Sequence, residues 1–182
     1  GGGVVSKYNV IYADPGWKYN NERTGGTLKS GAAQRYTVLP VEDICKLPVP
    51  AITEKNAVLF LWATVPMLPE ALQVMKAWGF KYKTLIAWHK TGRRGLGYWF
   101  RGEVEVLLFG TRGKVKAFRC QMPNFIEAPV LGHSEKPEEF RRLIEAATGL
   151  TIAHPRRIEL FARKRADGWD SWGDQVESDI AI

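Results

Sequence analysis

Asp14-Pro15-Gly16-Trp17 puts a carboxylate, a proline carbonyl and an indole within four residues, directly after the apolar stretch YNVIYA. In isolation the tetrapeptide is a turn signal. Its residue types also suit a demanding task, which is to make a nucleophile of the amine on an aromatic base such as adenine. The lone pair of such an amine is delocalised into its ring, so it attacks only when acceptors hold its hydrogens. Asp14 and the Pro15 carbonyl are two acceptors. The proline ring fixes φ and carries no N–H, which leaves neighbouring carbonyls free of a competing local donor. Trp17 offers a face for stacking, worth about 1–3 kcal/mol per base. If YNVIYA is a strand, the group stands at its carboxyl end, where open α/β sheets place their ligands.

The rest of the chain must supply that sheet. Short apolar runs bounded by turn residues predict strands over 8–13, 57–63, 82–88, 103–110 and 157–161. Helical spacing places Leu72, Val74, Met75 and Trp78 on one helix over 69–78, stopped by Gly79. A second helix over 136–148 carries Phe140, Leu143, Ile144 and Ala147, opened by Pro137 and closed by Gly149. Strands alternating with helices predict an α/β fold with a mostly parallel central sheet and helices on both faces. The pair 82–88 and 103–110, joined by a Gly/Arg-rich loop, could be antiparallel. Segment 18–35, rich in Asn and Gly, is long for a connection and reads as a lid or substrate loop. Segment 91–102, TGRRGLGYWFRG, mixes arginines with aromatics and suits phosphates and bases together.

Composition sets outer limits. A chain of 182 residues with 45% hydrophobic content can bury one substantial core, so a single domain over 7–182 is expected. The opening Gly1-Gly2-Gly3-Val4-Val5-Ser6 reads as a tag remnant or disordered start. Cys45 and Cys120 lack the spacing of a disulfide framework or a zinc site, which fits a reducing cytoplasm and no metal. No apolar run reaches the roughly 18–20 residues that span a bilayer, so no membrane role is expected. The net charge of +7 favours a polyanionic partner. Arg93, Arg94, Arg101, Arg112, Lys114, Lys116 and Arg119 oppose only Glu103 and Glu105 in their stretch, which reads either as a solvated loop and edge or as a surface tracking phosphates.

At these residues the chain resembles the adenine N6-methyltransferases related to the catalytic subunit of the eukaryotic messenger-RNA methyltransferase, which have many bacterial and phage relatives. The family's D-P-P-W signature stands here as Asp14-Pro15-Gly16-Trp17. The resemblance continues through Tyr36 and VEDICKLPVP, NAVLFLWAT, AWGFKYKTLIAWHKTG, GYWFRGEVEVLLFGTRGK, HSEKPEEFRRLIE and RRIELFARKRADGWDSWGDQV. It implies a Rossmann-like methyltransferase fold with the catalytic motif N-terminal to much of the cofactor site, and S-adenosyl-L-methionine as cofactor. Asp14, Pro15 and Trp17 become the catalytic group. Asp14, Lys136, Glu159, Arg163, Arg165, Asp174 and Gln175 become cofactor contacts, and Trp17, Tyr36, Arg93, Arg94, Tyr98, Trp99 and Arg101 the nucleic-acid side. DNA is favoured over RNA, because the compact form resembles phage and bacterial members. A homodimer or a related subunit is expected as partner, in the cytoplasm of a bacterium or infected cell.

The chain departs from the family at Gly16, which replaces a proline, at Arg165-Ala166, where many relatives carry His-Asn, and at Asp174, which replaces Asn. Those changes leave a second reading, a non-catalytic member that binds nucleic acid or an active partner. A third is a basic nucleic-acid-binding module without chemistry. Trp62, Trp78 and Trp88 read as core. His133 and His154 read as surface or capping residues, since methyl transfer from a sulfonium depends on positioning and a good leaving group and does not require a histidine base.

Overall fold

The computed structural model describes residues 7–17, 38–92, 95–132 and 135–182. Segment 18–35, Tyr36, Arg93, Arg94 and His133 lie outside the described residues. The elements are β1 (Tyr8–Ala13), α1 (Val41–Lys46), β2 (Thr53–Thr64), α2 (Leu68–Ala77), β3 (Lys81–Thr91), β4 (Val104–Arg112), β5 (Phe125–Pro129), α3 (Glu138–Thr151), β6 (Arg157–Leu160) and β7 (Trp169–Trp172). The strands form one seven-stranded sheet in the order β5-β3-β4-β2-β1-β6-β7. Only β4 runs against the others, antiparallel to both β2 and β3. The expected mostly parallel sheet is therefore present, and the pair left open by sequence is antiparallel.

Alternation along β2 builds two cores. Leu59 and Leu61 point toward Ile44 of α1 and Val74, Met75 and Trp78 at α2, while Val58, Phe60 and Trp62 point toward Phe140 and Ile144 of α3. Helices thus cover both faces. The chain leaves β1 by one face, through α1, and enters β6 from the other, through α3. A sheet with crossovers on opposite faces opens a crevice at the carboxyl ends of its strands, here beyond Ala13, Leu61 and Leu160.

Some element ends differ from the sequence reading. Gly79 does stop α2: it adopts φ 89°, its N–H donates to Lys76 and that of Phe80 to Met75, a Schellman closure. Gly149 does not stop α3, which runs on to Thr151. Helical hydrogen bonding through the last turn outweighs the modest propensity cost of about 1 kcal/mol for one glycine. Strand β2 begins four residues earlier than expected, because its first turnward residues Glu54, Lys55 and Asn56 are polar. Among the described residues, no helix is long and apolar enough to cross a membrane.

Candidate active site

Asp14 leaves β1 with its N–H donating to the Leu160 carbonyl of β6 at 3.4 Å, which fixes the start of the tetrapeptide against the neighbouring strand. Trp17 pairs with Leu39 in an isolated bridge, and Leu39 donates to the Gly16 carbonyl at 3.3 Å. The Trp17 indole N–H donates to the Trp62 carbonyl at 3.2 Å, so the ring is locked against β2 with 7% exposure. Trp17 is thus part of the core and of a cavity wall at once.

Two cavities meet at Asp14. The first, of about 300 Å³, is lined among others by Asp14, Pro15, Gly16, Trp17, Trp62 and Gln175. The second, of about 250 Å³, is lined by Tyr12, Arg141, Glu159 and Lys164 among others. Asp14, Lys136, Phe161 and Arg163 belong to both. Phe161 holds φ 62°, a left-handed conformation unusual for a bulky residue, at this shared wall. Gly173 permits the close approach behind it, since a Cβ there would stand 2.4 Å from the Ala162 carbonyl oxygen.

Lys136 organises the charge. Its Nζ lies 3.4 Å from Asp14 Oδ2, 3.4 Å from Glu105 Oε1 and 5.4 Å from the centre of the Trp62 ring. Lys90 pairs with the other Glu105 oxygen at 2.6 Å. Burial pushes the Asp14 carboxyl above the usual carboxylate range and Glu105 adds to this, while Lys136 opposes it. For Lys136, burial pulls its ammonium down, but Asp14 and Glu105 outweigh that and leave it raised, hence charged. The site therefore presents an ionisable carboxylate beside a fixed cation, on the wall shared by two neighbouring clefts.

Most of the residues named from sequence come together here. Asp14, Pro15, Trp17, Lys136, Arg163, Asp174 and Gln175 line the first cavity, and Glu159 lines the second. Arg165 does not line either one: its guanidinium donates to the Glu177 carbonyl at 2.7 Å and pairs with Asp179 at 3.0 Å. Tyr98, Trp99 and Arg101 are exposed on the β3–β4 loop, pinched by mutual hydrogen bonds of Gly95 and Gly102, at the same end of the sheet as Asp14 but off both cavity walls. The basic run does not form one surface, because Arg112 and Lys114 lie at the far end of β4 from Arg101. Nine residues at about 3.4 Å each separate those ends.

Glu105, Trp62, Arg141 and Phe161 were not picked out as site residues. Trp62 reads correctly as core, at 1% exposure, yet it also carries Lys136 on its ring.

At Gly16 the carbonyl accepts from Leu39, a bond a proline can also accept, and among the described residues no backbone hydrogen bond from the Gly16 N–H opposes the ring. Gly16→Pro is expected to raise stability by about 0.4–1 kcal/mol through the unfolded chain. That is a rise of about 1–4 °C in Tm, with the function of the site kept or increased. A fall in both would show that residue 15 needs the freedom the glycine gives it.

Comparison with known proteins places the chain among methyltransferases. The chain is 32% identical to the type II methyltransferase M.MunI of Mycoplasma sp over 93% of this chain and 78% of that protein. It is 30% identical to a putative N(6)-adenosine-methyltransferase MT-A70-like of Medicago truncatula, over 95% of this chain and 27% of that protein. It is 28% identical to the N(6)-adenosine-methyltransferase catalytic subunit METTL3 of Homo sapiens, over 96% of this chain and 29% of that one. The profile of the MT-A70 family matches residues 8–175, from the first strand to the Gln175 wall of the cavity, and the chain belongs to that methyltransferase family.

Proposed function

We propose that this protein transfers a methyl group from S-adenosyl-L-methionine to the N6 amine of adenine in nucleic acid, with DNA favoured over RNA. The observation that carries the reading is the position of Asp14, where two cavities meet and Lys136 and Trp17 fix its surroundings. A methyl transfer needs two ligand spaces that open onto one polarising group. The residues fit the cofactor: carboxylates Asp14 and Glu159 suit a cationic sulfonium and its hydroxyls, and Asp174 and Gln175 offer further polar contacts.

When bound, the cofactor supplies an electrophilic methyl on a good leaving group. The protein does the rest by positioning. Asp14 and the Pro15 carbonyl accept hydrogen bonds from the two N–H groups of the adenine amine, which raises the electron density on its nitrogen, and the one proton the amine sheds on methylation leaves by way of the Asp14 carboxylate. Trp17 supplies the aromatic wall of the base space. Lys136 holds Asp14 in place and keeps its charge, with Glu105 and Lys90 as counterweights behind it. The target base enters from a single strand, or leaves a duplex by flipping. The exposed Tyr98, Trp99 and Arg101 are the described residues best suited to contact the polymer.

The preference for DNA is supported by the fuller match to the type II methyltransferase. Equal concentrations of single-stranded DNA, duplex DNA and single-stranded RNA of one sequence, offered in competition for labelled methyl, test it; predominant label in RNA reverses the polymer assignment. The non-catalytic reading keeps one specific support, the turning of Arg165 onto the C-terminal segment and away from the cavities. Measured binding of S-adenosylhomocysteine removes that support. Pairing into a homodimer is a further proposal of the resemblance, and a monomer by light scattering at concentrations where transfer occurs excludes it.

A further inference from the structure

Helix α3 carries a buried arginine that the proposed reaction leaves unused. Arg141 is 8% exposed, and its guanidinium lies 5.7 Å from the centre of the Tyr12 ring and 5.1 Å from that of Trp169, two rings 5.8 Å apart, so it rests against one side of the pair. Both platforms are themselves fixed. The Tyr12 hydroxyl accepts from the Trp62 indole at 2.8 Å, and the Trp169 indole donates to Glu145 of the same helix at 2.9 Å. Beside them the guanidinium donates from Nη2 to Glu159 Oε1 at 2.5 Å, and its Nε stands 3.4 Å from Glu138 Oε2.

Nε and Nη1 are shut off from solvent and, among the described residues, make no hydrogen bond. Buried as they are, these two donors are not exposed to a ligand. As a fastener for α3 it is inefficient, because a buried cation with two idle donors costs more than an apolar side chain of the same size. What the arrangement does achieve is a fixed orientation for Glu159, which is itself 15% exposed at the side chain and lines the second cavity beside Asp14 and Lys136.

We propose that Arg141 is a positioning residue for the cofactor site: it aims the carboxylate of Glu159 into the second cavity, where that carboxylate accepts hydrogen bonds from hydroxyl or ammonium donors of the cofactor. This rests on the cofactor reading above. Geometry carries it, and electrostatics adds a signature. Burial pushes the Glu159 carboxyl upward, Asp14 from β1 and Glu138 from α3 add to that, and Arg141 is the opposing cation. Without Arg141 the carboxyl rises further, so the ionised acceptor appears only as pH increases.

Binding of S-adenosylhomocysteine by calorimetry, together with Tm, tests this on the parent chain, Arg141→Met, and Arg141→Met combined with Glu159→Gln. Arg141→Met is expected to weaken binding about tenfold or more on the acid side, with the loss shrinking as pH increases and the carboxyl ionises. The double variant, relieved of an unpaired buried charge, is expected to regain Tm without regaining affinity or showing the pH dependence. Parental affinity in Arg141→Met, or in the double variant if the single one fails to fold, overturns the proposal and leaves a mere helix fastener. A parent chain that does not bind S-adenosylhomocysteine overturns the cofactor reading itself, a separate and recognisable result.

Discussion

Asp14→Asn is expected to lower methyl transfer by about a hundred- to a thousandfold, the cost of removing one preorganised polar group aimed at the reacting atoms. Asparagine keeps the shape and one acceptor oxygen, but it loses the charge and brings two donors toward an amine that needs acceptors. Lys136 retains Glu105 at 3.4 Å, so the ammonium keeps a partner and the fold is expected to survive with Tm changed by a few degrees at most. Single-turnover rates with circular dichroism melts check both halves. Because burial raises the Asp14 carboxyl above the usual carboxylate range, the parent's rate should fall on its acid side at a higher pH than an ordinary aspartate would give. That limb should vanish from the residual activity of Asp14→Asn.

Lys136→Met produces the second large effect, through charge. Lys136 Nζ is the cation shared by Asp14 and Glu105, and removing it leaves two carboxylates facing each other in a largely enclosed space. The Asp14 carboxyl, already raised by burial, loses its chief opposing charge and rises further. The ionised form then grows only at higher pH, so the loss of transfer should be largest on the acid side and shrink as pH increases. Stability should suffer too. The Lys136 ammonium is raised by its partners, so its contribution is fully present below the ordinary lysine range, neutral pH included, and is lost only as pH climbs through its raised value. Breaking such a buried group costs about 3–5 kcal/mol, or about 6–20 °C in Tm at this chain length. A pH–rate profile identical to the parent's would show that Lys136 does not govern the Asp14 charge.

What could be read from the sequence divides along a physical line. The Asp14–Trp17 group is contiguous and follows an apolar strand, so its chemistry is visible without a fold. The strands with unbroken apolar runs and the helix closed by Gly79 are visible for the same reason. Glu105 is different: it reaches the site only because β4 runs antiparallel to β2 in a register that sets it opposite Thr64. No local pattern encodes that pairing. Strands β5 and β7, at the two sheet edges, are five and four residues long and mix polar with apolar side chains, so alternation is too brief to register. Helix α1 has six residues, shorter than two turns, which defeats a periodicity test. Arg141 illustrates the reverse error. On a helix rich in charge it looks like one more solvated residue, yet it packs against the rings of Tyr12 and Trp169, distant in sequence, and is buried. Arg165, placed by resemblance at the cofactor, turns instead to Asp179, fourteen residues on, a contact that a strand-end motif could not reveal.

The most direct test of the central claim is transfer of labelled methyl from S-adenosyl-L-methionine to nucleic acid, followed by digestion to nucleosides and identification of the labelled one, with Asp14→Ala in parallel. The account predicts label in N6-methyladenine from the parent chain and none above background from Asp14→Ala. Label on another base, label undiminished in Asp14→Ala, or no transfer from a parent chain that binds every partner offered would contradict it.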